Sequence, residues 1–305
     1  MPMETLATSF KEQIKQVVIL SKSSNLVTEN NVYQEGADNI LPFLDQMVDS
    51  LILPGSGVDG MSHLEDLLSK AQSGKSCLLL LEHYSNLDLS LFSSLVRKEG
   101  GRGEEIAKAL VAIAGMKLNE ENAVVSAFAN AYTRIVIYPS RSLQGLDAEK
   151  DRAEIVRSNA INRAAMKALM NVKARGKIIL LFPSGTRYRP WDPSTKRGVR
   201  EIDSYIKSFD YMCPVAINGE VLHVRAGDML DDSVTPDIVR ITAGPVLSCS
   251  EFREKVHADV EARENQNSGV VEDKKQVVAD TIMALLEEMH NKAESGRLVL
   301  LKQHE

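Results

Sequence analysis

Apolar residues recur along this chain in two different rhythms. Over residues 5–20, Leu6, Phe10, Ile14, Val17 and Val18 sit mostly three or four positions apart. Over residues 39–53, Ile40, Phe43, Leu44, Met47 and Leu51 repeat that spacing, which predicts two amphipathic helices. Pro54-Gly55-Ser56-Gly57 then breaks the chain. Beyond it the apolar positions run together, at residues 77–81, 109–114, 135–138, 178–182, 214–217 and 239–241. Helical spacing over residues 89–98, 122–132, 148–175 and 201–209 separates many of these runs. Strands without polar alternation are those buried on both faces, so the pattern predicts an α/β fold: a mostly parallel mixed sheet flanked by helices. Residues 1–58 are expected to form a small N-terminal helical element and residues 59–305 the α/β domain. The charged stretch from 251 to 292 predicts further helix with a break at Gly269. There is no internal repeat.

In parallel sheets ligands bind beyond the carboxyl ends of the strands. Two polar segments follow apolar runs and so fall at such ends. The first is Glu82-His83-Tyr84-Ser85-Asn86-Leu87-Asp88. His83 is a suitable proton acceptor near neutral pH, and Asp88 could hold its other ring nitrogen if the chain reverses between them. Ser85 and Asp88 equally fit a capping box, Ser at the N-cap and an acid three residues on, in which case Asp88 only starts a helix. The second segment is Phe182-Pro183-Ser184-Gly185-Thr186-Arg187-Tyr188-Arg189-Pro190. Gly185 lets backbone approach an anion, and the forked guanidiniums of Arg187 and Arg189 suit a phosphate. The alternative is a solvated arginine pair in an ordinary loop.

Composition narrows the choices. With 36 Lys and Arg against 42 Asp and Glu, the net charge is −6, which argues against nucleic-acid binding through overall charge. A phosphate must then meet a local basic cluster; Lys196, Arg197 and Arg200 could extend one, or form a solvated charge run. Cys77, Cys213 and Cys249 are odd in number and widely spaced, which points to a reducing, cytoplasmic setting without a disulfide framework. The histidines show no metal-ligand spacing, so no metal is expected. Ser140 and Ser184 lie outside a Gly-x-Ser-x-Gly elbow, which argues against a serine nucleophile. The chain reaches Lys11, Glu12 and Lys15 without an apolar signal core, and no apolar run has the roughly 18 residues of a membrane span.

His83-x-x-x-x-Asp88, followed about a hundred residues later by a strand and Phe182-Pro183-Ser184-Gly185-Thr186-Arg187, resembles the glycerol-3-phosphate and 1-acylglycerol-3-phosphate acyltransferase superfamily. The resemblance runs from about residue 60 to about residue 250. It is closest to the soluble, plastid-type glycerol-3-phosphate acyltransferases, whose Pro-Ser-Gly-Gly-Arg-x-Arg-Pro pattern is similar to residues 183–190. It implies an enzyme that moves a fatty acyl group from an acyl carrier protein or coenzyme A thioester to the sn-1 hydroxyl of glycerol 3-phosphate, with no further cofactor. His83 would be the base and Asp88 its partner. Arg141, Arg187 and Arg189 would hold the phosphate, with Ser184, Gly185 and Thr186 shaping the substrate loop. Peripheral membrane contact fits such a product. Glu82, Ser142 and Thr186 depart from the residues usual at those positions (Asn, His and Gly). Glu82 could tune His83 or point away. Acylation of 1-acylglycerol 3-phosphate, or non-catalytic lipid or phosphate binding on the same fold, are the alternatives.

Overall fold

The computed structural model describes residues 4–21, 26–116, 118, 123–143, 145–266 and 271–303. The chain opens with α1 (Leu6–Ser9), α2 (Lys11–Leu20), β1 (Tyr33–Gln34), α3 (Leu41–Leu51), β2 (Gly57–Asp59) and α4 (Met61–Gln72). An alternation follows: β3 (Cys77–Leu81), α5 (Asp88–Lys98), α6 (Gly103–Ala109), β4 (Leu110–Gly115), α7 (Ala123–Ala129), β5 (Arg134–Ile137), α8 (Arg152–Lys173), β6 (Ile178–Leu181), α9 (Ile202–Ser208) and β7 (Tyr211–Asn218). Four short strands, β8 (Leu222–His223), β9 (Ser233–Val234), β10 (Arg240–Ala243) and β11 (Leu247–Ser248), precede α10 (Cys249–Gln266) and α11 (Lys274–Leu301). Among the described residues no helix is long and apolar enough to cross a membrane.

Nine strands form one mixed sheet in the order β1-β5-β4-β6-β3-β7-β10-β2, with β11 pairing β7. The five central strands are parallel, and antiparallel pairs occur towards the edges. All five residues of β3 are buried, as an apolar run covered on both faces requires. Alternate residues serve opposite layers. Cys77, Leu79 and Leu81 join the core beneath α3, α4 and α5, while Leu78 and Leu80 join the core beneath α8 to α11. Truncating one of these leucines to alanine is expected to cost about 2–5 kcal/mol.

The α/β architecture and the N-terminal helical element are present as expected, with adjustments at element ends. Ala109 closes α6, and its strand starts at Leu110. The helix expected over 122–132 is α7, three residues shorter at its end, and its expected start at Asn122 lies outside the described residues. The expected break at Gly269 also lies outside them. The Pro54–Gly57 break does more than end a helix. Gly57 begins β2, which pairs with β10, while β1 caps the opposite edge against β5, so the first 59 residues contribute a strand to each edge.

Candidate active site

The two polar segments lie about a hundred residues apart in sequence and meet because β3 and β6 are parallel neighbours, Cys77 opposite Ile178 and Leu80 opposite Leu181. Both strands end at the same level, so residues 82–88 and 182–190 leave the sheet side by side. Tyr188 N–H donates to the His83 carbonyl at 2.9 Å, and the His83 ring stacks on Phe182 with centroids 4.0 Å apart.

His83 Nδ1 lies 2.9 Å from Asp88 Oδ2. A carboxylate only accepts, so Nδ1 carries the hydrogen and Nε2 is the nitrogen left for a reacting proton. Asp88 is 2% exposed and also accepts from Tyr84 N–H at 2.6 Å, Ser85 N–H at 2.9 Å and Ser85 Oγ at 2.7 Å. The expected capping box is therefore half right. Asp88 does reach back to the Ser85 amide, and Ser85 Oγ accepts from Leu87 N–H at 3.1 Å. The helix itself starts only at Asp88, with Leu87 as an N-cap that makes no side-chain bond. The same carboxylate that shapes the turn also holds the imidazole.

Glu82 points away from His83, because consecutive residues at a strand end face opposite sides of the sheet. It is 5% exposed and accepts from Ile217 N–H at 2.9 Å, Tyr84 Oη at 3.2 Å and His290 Nδ1 at 3.1 Å. Burial works against a charge on His290. Glu82, as acceptor and as charge, together with Glu294, outweighs that and holds His290 above its ordinary value. Burial, reinforced by Glu82, pushes the Tyr84 phenol up. His290 lies on α11, so this second acid–imidazole pair ties the last helix to the turn that carries His83.

A cavity of about 240 Å3 opens across the carboxyl ends of β3 to β6. His83, Asn86, Arg141 and Gly185 reach it, and its walls are largely apolar, including Leu89, Phe128, Phe182 and Ile202. Gly185 has φ +65°, and a Cβ there would sit 2.9 Å from Val199 Cγ1, so conformation and space both call for glycine. Ser184 Oγ donates to the Thr186 carbonyl at 2.7 Å, which knits the loop and occupies that hydroxyl. Arg141 Nη2 donates to the Ser184 carbonyl at 3.3 Å and so bridges the loops after β5 and β6.

The expected cationic cluster is divided. Arg141 and Gly185 line the cavity with His83, whereas Arg187 and Arg189 lie further along the loop and do not line it. Arg187 Nη1 is 3.3 Å from Asp232 Oδ2. Asp232 is 1% exposed and also accepts from Arg225 N–H at 2.8 Å. Burial lowers the Arg187 pKa, with some help from the nearby Arg189 charge, and burial raises that of Asp232. Arg189 N–H donates to Thr195 Oγ1 at 2.9 Å, which secures its backbone. Lys196, Arg197 and Arg200 are exposed, as a solvated run would be, but they are not free. They pair with Glu287, Asp280 and Asp273 of α11 and its cap at 3.0, 3.5 and 2.8 Å.

Asp232, His290 and Arg134, a buried guanidinium beside the cavity, are absent from the residues expected to matter. The first two depend on partners fixed by long-range packing, Arg187 and Glu82, and the Arg134 guanidinium bonds only to groups within five residues of it, so no local pattern marks any of them as functional. No family model matches the chain, and no curated protein matches it.

Proposed function

We propose that the chain is an acyltransferase that transfers a fatty acyl group from an acyl carrier protein or coenzyme A thioester to the sn-1 hydroxyl of glycerol 3-phosphate. One observation carries this reading: an imidazole oriented by a buried carboxylate, with its other nitrogen left open, at the mouth of a largely apolar cavity. His83 takes the hydroxyl proton as the oxygen attacks the thioester carbonyl, and Asp88 stabilises the imidazolium that forms. The imidazolium then returns the proton to the departing thiolate. Arg141 at the cavity, with Arg187 and Arg189 beside it, supplies the charge that a phosphate-bearing acceptor needs. The cavity walls suit the acyl chain. A protein of this kind would work in the cytoplasm at or near a membrane surface.

The test is thiol release from long-chain acyl-coenzyme A and acyl carrier protein donors, with and without glycerol 3-phosphate. Release that depends on the acceptor and yields lysophosphatidate is expected. No release from either donor, or release unaffected by the acceptor, would overturn the reading. Release only with 1-acylglycerol 3-phosphate would move the acceptor and keep the chemistry.

A further inference from the structure

Arg134, the first residue of β5, is 2% exposed and lines the same cavity as His83. Its Nη1 donates to the carbonyls of Ala129 at 2.7 Å and Tyr132 at 3.4 Å, and Nη2 donates to Asn130 Oδ1. Ala129 ends α7, so the guanidinium satisfies carbonyl groups at and just beyond a helix C-terminus, an ordinary structural task for a cation. That task leaves two things over. Nε is buried without a partner, and among the described residues no carboxylate pairs with the guanidinium or offsets its burial. Glu35, which lines an adjacent cavity with Arg134, forms no ion pair with it. A buried cation is normally matched by an anion, since partial charges on carbonyls do not neutralise it. Burial pushes this guanidinium down to about 10, in keeping with an unmatched charge. Two residues before it, the Tyr132 hydroxyl is also buried, facing Ser90 without reaching hydrogen-bond geometry.

The site is well separated from His83. Arg134 is level with Ala112, Leu180 and Leu79, three strands across from β3 and four residues short of His83. At ~4.8 Å per strand and ~3.3 Å per residue this is roughly 20 Å between backbones. Between them the lining is mostly apolar, with Leu89, Val125, Phe128 and Phe182.

We propose that Arg134 and Tyr132 form a carboxylate subsite, and that the cavity takes amphiphiles with an apolar body and an acidic head, of the free fatty acid class. The carboxylate would accept from Arg134 Nε and Tyr132 Oη while the chain lies along the apolar walls. This does not depend on the acyl-transfer reading and holds whether or not the chain is an enzyme.

Calorimetric titration of the full chain with decanoate, decan-1-ol and decyltrimethylammonium separates head-group recognition from apolar burial. A charge-assisted contact predicts decanoate binding ten- to a hundredfold tighter than decan-1-ol, with the ammonium weakest. Arg134→Met should abolish the preference and leave decan-1-ol unchanged. Tyr132→Phe, which keeps the ring, should weaken decanoate severalfold and decides the matter with the wild-type ranking if the methionine variant does not fold. Equal binding of decanoate and decan-1-ol to the wild type would overturn the proposal, as would a preference that survives in a folded Arg134→Met or an unchanged decanoate affinity in Tyr132→Phe.

Discussion

Two acid–imidazole pairs flank the end of one strand, His83 with Asp88 at 2.9 Å and His290 with Glu82 at 3.1 Å. The chemistry of the two is the same and the carboxylates are about equally buried. They differ in what lies beside the ring: His83 lines the apolar cavity and His290 does not. In the first pair the imidazole opens to a cavity. In the second it comes from α11, which covers that face of the sheet and joins Glu82 to Tyr84 and, through Asn218 and the His290 carbonyl at 3.0 Å, to the end of β7. A carboxylate–histidine contact is therefore no mark of catalysis by itself; in the proposed function it is the apolar cavity beside His83 that sets the first pair apart. The comparison holds only if disturbing one pair costs turnover and disturbing the other costs stability.

The largest expected effect is on His83. His83→Ala should lower acyl transfer by about two to four orders of magnitude, the usual contribution of a general base. Thermal unfolding should shift little. A folded variant with near-normal turnover would remove the distinction between the pairs.

Asp88→Asn comes next and should move both quantities, because Asp88 serves the turn as well as the ring. Turnover should fall by about a hundredfold as the ring loses its orienting charge. Stability should fall by about 1–3 kcal/mol, since several buried donors lose a charged acceptor. Loss of stability with full activity would reduce Asp88 to a turn former.

The proposed phosphate side sharpens the contrast between a prewired site and a divided one. Arg187→Ala should raise the Michaelis constant for glycerol 3-phosphate about ten- to a hundredfold and leave that for the donor flat. Asp232→Asn should change it by less than tenfold, because it loosens Arg187 without removing the charge. Weakening towards the donor instead would place coenzyme A or the carrier at this loop.

Much of this organisation is legible in the chain. The central strands are short uninterrupted apolar runs, and the turn after each carries its polar residues in plain view. The helix α4 is absent from the expected elements although Leu64, Leu67, Leu68 and Ala71 mark one buried face at helical spacing. The edge strands β1 and β2 span two and three residues, too few to show a period. At the site, His83 and Asp88 could be picked out because local chain reversal brings them together, and Gly185 because it stands in the turn straight after an apolar run. Asp232, His290 and Arg134 could not, because packing between elements 45 or more residues apart defines the partners of the first two, and the third matters for a partner it lacks. The paired state of Lys196, Arg197 and Arg200 has the same origin: their acids lie on α11 and its cap, far along the chain.

The smallest effect expected is the pH dependence of the second pair, and its sign is fixed by the raised pKa of His290. A group whose folded pKa lies above its unfolded value of about 6.5 contributes stability in full below that value and loses it as pH rises through the folded one. The wild type should therefore be more stable than His290→Gln at pH 6, and the gap in melting temperature should narrow as pH rises towards 9. Activity relative to wild type should stay nearly constant over the same range, because Glu82 and His290 face away from the cavity. A gap that is flat or widens with pH would mean that the neutral ring holds α11 in place. A turnover ratio that tracks the stability gap would mean that the latch on α11 positions His83 after all, and the two pairs would then have to be read as one unit.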